Sequence, residues 1–288
     1  MTALSITGYS TALFSTWYFV EQYGLLFDCG DGCAAGLLQK AGRVRHIFLS
    51  HADRDHLNGL PQFLQLNSRP DLAIYYPRDC GSFPALEDFL ARFDPHLERC
   101  QWRPLSNGDA VPVGGNRVVR AVENRHVRTN GVDVKSLSYF LEEVSHKLRP
   151  EFRGLPGEEI ARLRKDRGSD AVTEPQVRTT LAYSGDTPVD WDQRYHDAEV
   201  LIHEATFLTA DELAPNSARY NLHSSLDDVL EMVRGYRGAA LVLGHFSCRY
   251  SNDEIRRAIE AQWTAEHPEC TLHLVLPGER VRLELPGA

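Results

Sequence analysis

The run Ser50-His51-Ala52-Asp53-Arg54-Asp55-His56 puts four imidazole or carboxylate side chains within six residues, directly after the apolar run His46-Ile47-Phe48-Leu49. A strand that ends in such a loop can aim several donors at one point. Imidazole nitrogen and carboxylate oxygen both ligate divalent cations. Donors at alternating positions, followed by an adjacent Asp and His, can hold two ions side by side. A cation pair suits ester hydrolysis: it holds a scissile phosphate, lowers the pKa of a shared water to give hydroxide near neutral pH, and neutralises charge on the leaving oxygen. The chemistry expected from this stretch is that of a dinuclear hydrolase.

Four further polar sites have the same placement: His126 after an expected strand at 117–122, Asp186 in Tyr183-Ser184-Gly185-Asp186-Thr187, the run His203-Glu204-Ala205-Thr206-Phe207, and the run Gly244-His245-Phe246-Ser247-Cys248-Arg249-Tyr250. Each stands at or just past the C-terminal end of an expected strand. Open α/β sheets build their sites along that edge, where loop residues distant in sequence converge. One such His alone would be a packing residue; five polar sites in one structural position point to a shared cleft. Glu204 is an acid in an apolar setting, which calls for a partner.

The elements that must position these residues follow from periodicity. Apolar or alternating runs at 13–20, 24–29, 45–50, 72–76, 117–122 and 136–143 predict strands, with turns such as Asn107-Gly108-Asp109 between them. Helical patterns fall at 32–41, 57–66 and 82–93. In the second half, strands near 179–184, 199–203, 239–245 and 271–276 alternate with helices near 224–235 and 252–265. Ser251 and Glu254 have capping-box spacing for the last helix. Two α/β halves facing each other is the architecture this order predicts. The stretch 145–178 is charged and irregular, with one short helical pattern over Pro156–Lys165, and is expected to be a reduced surface lobe on a single domain spanning 1–288.

With 288 residues, 42% of them hydrophobic, the chain can bury a large core. A net charge of −9 argues against a surface built for nonspecific nucleic-acid binding, so any such contact must be local. The six cysteines show no C-x-x-C pairing and fit reduced packing residues. The N-terminus reads as a strand, Leu4-Ser5-Ile6-Thr7, without a basic leader, and no apolar run approaches the ~18 residues of a membrane span. The expectation is a soluble cytoplasmic protein.

These motifs resemble the metallo-β-lactamase superfamily and, within it, the ribonuclease Z family, which trims the 3′ end of precursor tRNA. The resemblance covers almost the whole chain. It includes Leu26-Phe27-Asp28-Cys29-Gly30-Asp31-Gly32, His51 to His56 running into Gly59-Leu60-Pro61, and Ser184-Gly185-Asp186-Thr187. Its specific part is His203-Glu204-Ala205-Thr206-Phe207, His223-Ser224-Ser225 and His245-Phe246-Ser247-Cys248-Arg249-Tyr250. The run Lys147 to Gly157 is similar to the compact short-form members rather than to those with a long Gly/Pro-rich arm.

The resemblance implies an αβ/βα sandwich of two mixed β-sheets flanked by helices. It implies that His51, Asp53 and His126 hold one metal, that Asp55, His56 and His245 hold the other, and that Asp186 bridges them. Asp55 would orient the nucleophile and accept its proton, while His223, oriented by Glu204, would protonate the departing oxygen. A homodimer, with one subunit's lobe presenting RNA to the other's site, is also implied. Ser247 and Arg249 could hold phosphate oxygens, and Lys147, Arg149, Arg153, Arg162, Arg164, Lys165 and Arg167 could contact an RNA backbone. Glu151, Glu158, Glu159 and Asp166 are interspersed among them.

One position departs from the family pattern, for Asp53 stands where a His is usual. An anionic oxygen there lowers the charge of the loaded centre and shifts preference from the zinc of the resemblance toward manganese or iron. The activity expected is a metal-dependent phosphodiesterase, with precursor tRNA as the RNA substrate. Two other readings stay open: hydrolysis of small or cyclic phosphodiesters at the same site, and a non-catalytic RNA- or protein-binding member whose metal site Asp53 has weakened.

Overall fold

Strands that are apolar on both faces must be covered on both sides, and this chain has two sets of them. In the computed structural model, which describes residues 3–286 except 95, 96, 98, 128, 130, 192, 214–222 and 264–269, each set forms the parallel part of a mixed sheet. The first half supplies β1 (Leu4–Thr11), β2 (Ser15–Val20), β3 (Leu25–Phe27), β4 (His46–Phe48), β5 (Ala73–Pro77), β6 (Gln101–Leu105), β7 (Ala110–Pro112) and β8 (Arg117–Glu123). The second supplies β9 (Leu137–Leu148), β10 (Thr173–Tyr183), β11 (Val200–Glu204), β12 (Ala240–Gly244), β13 (Thr271–Leu274) and β14 (Val281–Leu285). One seven-stranded sheet runs β14-β1-β2-β3-β4-β5-β6 and the other β13-β12-β11-β10-β9-β8-β7.

The two sheets face each other. Ile6, Tyr18, Phe27 and Phe48 of the first pack on Tyr139, Leu181, Tyr183 and Ile202 of the second. Ring centroids lie 5.4 Å apart for Phe27 and Tyr183, and 5.2 Å for Phe48 and Tyr139. Burying one such side chain is worth about 1.5–3 kcal/mol, so this layer holds the sheets together. Helices cover the outside: α1 (Cys33–Leu37), α2 (Arg54–Leu57), α3 (Leu60–Asn67) and α4 (Ser82–Phe93) follow strands of the first sheet, and Phe63, Phe83 and Leu90 pack on Ile47 and Ile74. On the second sheet, Val229 of α7 (Leu226–Met232) and Ile255 and Ile259 of α8 (Asn252–Gln262) pack on Leu201 and Leu241. This is the expected αβ/βα sandwich. No helix among the described residues is long and apolar enough to cross a membrane.

Most predicted elements form with ends shifted by a few residues, and α4 spans the predicted range. The Ser251 and Glu254 capping box is present. Residues 264 and 265 of the predicted last helix lie outside the described residues. Three strands escape sequence reading. β6 carries Pro104, which fits an edge strand but hides it, while β7 is three residues at an edge of the other sheet. β14 alternates cleanly, as Val-Arg-Leu-Glu-Leu, and pairs with β1.

The stretch 145–178 is more regular than its sequence suggests. β9 and β10 continue past their neighbouring strands, so that in the ladder residues 144–148 and 173–177 pair only with each other. This ribbon carries α5 (Gly157–Arg167) and α6 (Ser169–Val172), and no residue of α5 is buried. A two-stranded ribbon with water on both faces has no apolar alternation, which is why periodicity ended these strands at 143 and began them at 179.

Backbone contact fixes the loop after β4 against the loop after β3. Cys29 N donates to His56 O at 2.8 Å, and Gly59 N donates to Cys29 O at 2.9 Å. A Cβ at Gly59 would lie 2.0 Å from Gly30 O, whereas one at Gly42 would meet nothing within 4 Å. Gly59→Ala should therefore lower unfolding free energy by about 1–3 kcal/mol through backbone displacement, and Gly42→Ala should not. Urea unfolding of both variants measures this; equal midpoints would contradict the close approach.

Candidate metal centre

Each predicted ligand leaves the C-terminal end of a strand or the loop after it, and the structure brings all seven together. His51 follows β4, His126 follows β8, Asp186 follows β10 and His245 follows β12, while Asp53, Asp55 and His56 lie at the start of α2. Asp186 sits in the middle. Its Oδ2 lies 3.7 Å from His51 Nε2 and 3.3 Å from His245 Nε2, and its Oδ1 lies 3.3 Å from His56 Nε2. On one side Asp53 Oδ2 is 3.6 Å from His51 Nε2 and 3.5 Å from His126 Nε2. On the other, Asp55 Oδ2 is 3.3 Å from His245 Nε2 and 3.7 Å from His56 Nε2. Two clusters of ligand atoms, His51/His126/Asp186 and Asp55/His56/His245, each fit within the reach of one ion.

Asp53 caps α2 with extended backbone, yet its side chain accepts no capping bond. The carboxylate turns instead to two imidazoles, with 63% of the side chain exposed. Those rings, His126 foremost, hold its pKa well below the usual carboxylate range.

The remaining ring nitrogens are fixed from behind. His51 Nδ1 is 2.9 Å from Ser50 Oγ, and that hydroxyl donates to Asp28 Oδ2 at 2.7 Å. His56 Nδ1 is 2.7 Å from the same carboxylate oxygen. His245 Nδ1 is 2.8 Å from Thr206 Oγ1, whose hydroxyl donates to Glu204 Oε2. A hydroxyl that donates to a carboxylate must accept from the imidazole, so the network assigns the Nδ1–H tautomer to all three rings. Their Nε2 atoms then point into the cluster.

Divalent cations fit this donor set. Among the described residues His51 Nε2 is fully buried with no hydrogen-bond partner, and carboxylate oxygens of Asp53 and Asp186 lie 3.6 and 3.7 Å away, beyond hydrogen-bond range. A lone pair facing oxygen anions in a buried site is unfavourable unless a cation lies between them. Burial, then His56 and His126, lower the His51 pKa and keep that nitrogen unprotonated. Burial raises the Asp186 carboxyl, but His245 and His56 outweigh it and hold it well below the carboxylate range.

His223 and Glu204 meet beside the cluster. His223 Nδ1 lies 3.0 Å from Glu204 Oε1 and 3.7 Å from Asp186 Oδ2. Glu204 also accepts from Thr187 N at 2.7 Å, so its buried charge is well partnered. Burial lowers the His223 pKa, but Glu204 and then Asp186 raise it overall to about 9.

Ser247 and Arg249 are not among the residues the structure brings together. The turn after His245 carries Arg249 outward, where Nη1 pairs with Glu212 Oε2 at 3.1 Å and the guanidinium lies over the Phe207 ring. Ser247 N donates to Thr206 O at 3.0 Å. Phe207 in turn meets His223 edge-on at 6.2 Å, so this pair stands one layer out from the cluster. Sequence reading missed the supporting set, Asp28, Ser50 and Thr206. The signal for Asp28 was present: an acid directly after the buried strand Leu25–Phe27 needs several donors.

Comparison with known proteins agrees with this geometry. A family described as a beta-lactamase superfamily domain matches residues 24–149. Ribonuclease Z of Methanosarcina mazei is 32% identical over 254 residues, 80% of this chain and 80% of that protein. The chloroplastic tRNase Z TRZ2 of Arabidopsis thaliana is 27% identical over 267 residues, 88% of this chain and 71% of that protein. The short form of human tRNase Z superposes with a TM-score of 0.61 at 21% identity, covering 98% of this chain and 99% of that one, a likeness of fold. Identity at this level across four-fifths of both chains, on a fold that gathers the expected ligands, makes this chain a member of the ribonuclease Z family.

Proposed function

We propose that the protein is a dinuclear metal-dependent endoribonuclease that removes the 3′ trailer of precursor tRNA. The single observation that carries this reading is the Asp186 carboxylate, within 3.3–3.7 Å of imidazoles from both ligand sets. One carboxylate between two sets suits two cations. His51, Asp53 and His126 would hold the first, Asp55, His56 and His245 the second, and Asp186 both. When bound, such ions supply a nucleophile at neutral pH and stabilise phosphate charge.

The chain's own groups do the rest. Leu13 N donates to Asp55 Oδ2 at 2.8 Å, which fixes the carboxylate that orients the attacking water and takes its proton. His223, held at Nδ1 by Glu204, has Nε2 left to give a proton to the departing ribose oxygen. The arm formed by 145–178 supports RNA over a small diester. Among the described residues, Arg162, Arg164, Lys165 and Arg167 of α5 make no side-chain ion pair and stand available to phosphates. Zinc is the metal of the family resemblance, and the Asp53 oxygen favours manganese or iron.

Three outcomes follow from these assignments. Metal-loaded protein should carry two ions per chain by plasma mass spectrometry and cut a 3′-extended tRNA, while Asp186→Ala should hold fewer and cut at least ~100-fold more slowly. Fewer than one ion in the wild type would end the dinuclear reading. After equilibration with equimolar zinc and manganese, Asp53→His should retain a higher zinc-to-manganese ratio than the wild type; an unchanged ratio would separate Asp53 from the metals. His223→Gln should lower kcat on tRNA by about 100-fold, with a far smaller loss on bis-p-nitrophenyl phosphate, whose leaving group needs no proton. Equal losses on both substrates, or loss of an ion, would make His223 a ligand instead of a proton donor.

A further inference from the structure

Beside the metal centre lies a cleft of about 640 Å³ that the hydrolytic chemistry leaves without a task. Its walls are continuations of the ligand loops. Arg125 and Val127 line it on either side of His126, whose own ring turns into the cluster. Pro188 and Trp191 line it just past Asp186. The third wall holds Asp228, in the first turn of the helix that follows His223, with Ser225 Oγ donating to its Oδ2 at 2.8 Å. The cleft therefore adjoins His126 and Asp186 through the loops that carry them, and the helix after His223 closes its third side.

Its chemistry suits a flat heterocycle better than a second phosphate. Trp191 is 57% exposed and belongs to none of the three apolar cores, so packing does not account for its ring. Glu123 and Asp228 place two carboxylates in the lining against one guanidinium, Arg125. Carboxylates repel phosphate but accept hydrogen bonds from the exocyclic amines of cytosine, adenine or guanine. Unpaired bases are bound in this way by RNA-binding proteins, stacked on an aromatic ring and read along one edge. We infer that this cleft receives an unpaired nucleobase next to the scissile phosphate, stacked on Trp191, with its amine read by Glu123 or Asp228. The inference rests on the endoribonuclease reading and adds to it a subsite that selects single-stranded RNA.

The test compares wild type, Trp191→Ala and Trp191→Phe on a 3′-extended tRNA transcript, on the same transcript with an abasic nucleotide on either side of the cleavage point in turn, and on bis-p-nitrophenyl phosphate, which has no base. Trp191→Ala should lower kcat/KM on the intact transcript, relative to the diester, by about tenfold, the scale of one base–aromatic stack. The abasic change should cost the wild type a similar factor at one of the two positions and add little in Trp191→Ala. Trp191→Phe should recover most of the loss. Losses that multiply instead of overlapping, a Trp191→Ala enzyme unchanged on the transcript, or parallel losses on transcript and diester would each overturn the inference. A wild type that hydrolyses the diester but leaves the transcript uncut would overturn the endoribonuclease reading, and this subsite with it.

Discussion

The buried carboxylate of Asp28 is the constraint on which the site depends. It has no solvent exposure and collects four donors: Ser50 N at 2.7 Å, Ser50 Oγ at 2.7 Å, His56 Nδ1 at 2.7 Å and the Tyr183 hydroxyl. An ionised carboxylate taken out of water is tolerated only with that degree of partnering. The donors come from both sheets, since Tyr183 ends β10 and Ser50 follows β4. Folding the two sheets together and orienting the His51 and His56 rings are therefore one event. Glu204 repeats the device on the second sheet, through Thr206 to His245. In each case a carboxylate and a hydroxyl aim an imidazole, which raises its basicity and fixes the nitrogen that would meet a metal.

Backbone strain occurs where two of these residues leave their strands. Asp28 and His245 both have positive φ, at 56° and 60°, a region that costs a non-glycine residue about 1–3 kcal/mol and persists only where the surroundings impose it. The surroundings do so here: His245 N donates to Ser10 Oγ at 2.9 Å, and Asp28 N to Phe48 O at 2.9 Å. Gly185, with φ of 59°, lets the Asp186 loop pass Ser50, whose Cβ would stand 2.8 Å from any side chain placed there. The chain turns sharply at the end of the strand, and the side chain is delivered to the cleft as a result.

The ligands were legible in the sequence because strand ends and polar loops leave a pattern: an apolar run followed by His or Asp. Six of the seven residues read as ligands fall into compact groups, Asp53 lies 3.5–3.6 Å from His126 and His51, and His223 meets Glu204. The supporting layer was less legible, since Ser50 and Thr206 are ordinary residue types whose role exists only once two sheets meet. Ser247 and Arg249 were read as phosphate contacts from their residue types and their place after His245, and in the structure the Arg249 guanidinium pairs with Glu212, distant in sequence and close in space. The long ribbon of β9 and β10 was hidden for the opposite reason. Its stability comes from pairing in water, and pairing without a buried face has no hydrophobic signature.

An acidic chain that acts on a polyanion must confine its attraction to a few places. The whole chain carries −9, so long-range steering of RNA is weak and screened beyond about 10 Å at ordinary ionic strength. The segment 145–178 runs against that balance, with eight Lys and Arg against six Asp and Glu, and it stands clear of the sandwich where its charge is least compensated. Divalent cations at the proposed metal centre would supply a second positive point. On the proposed function, an RNA long enough to meet both points would bind more tightly than one that meets a single point.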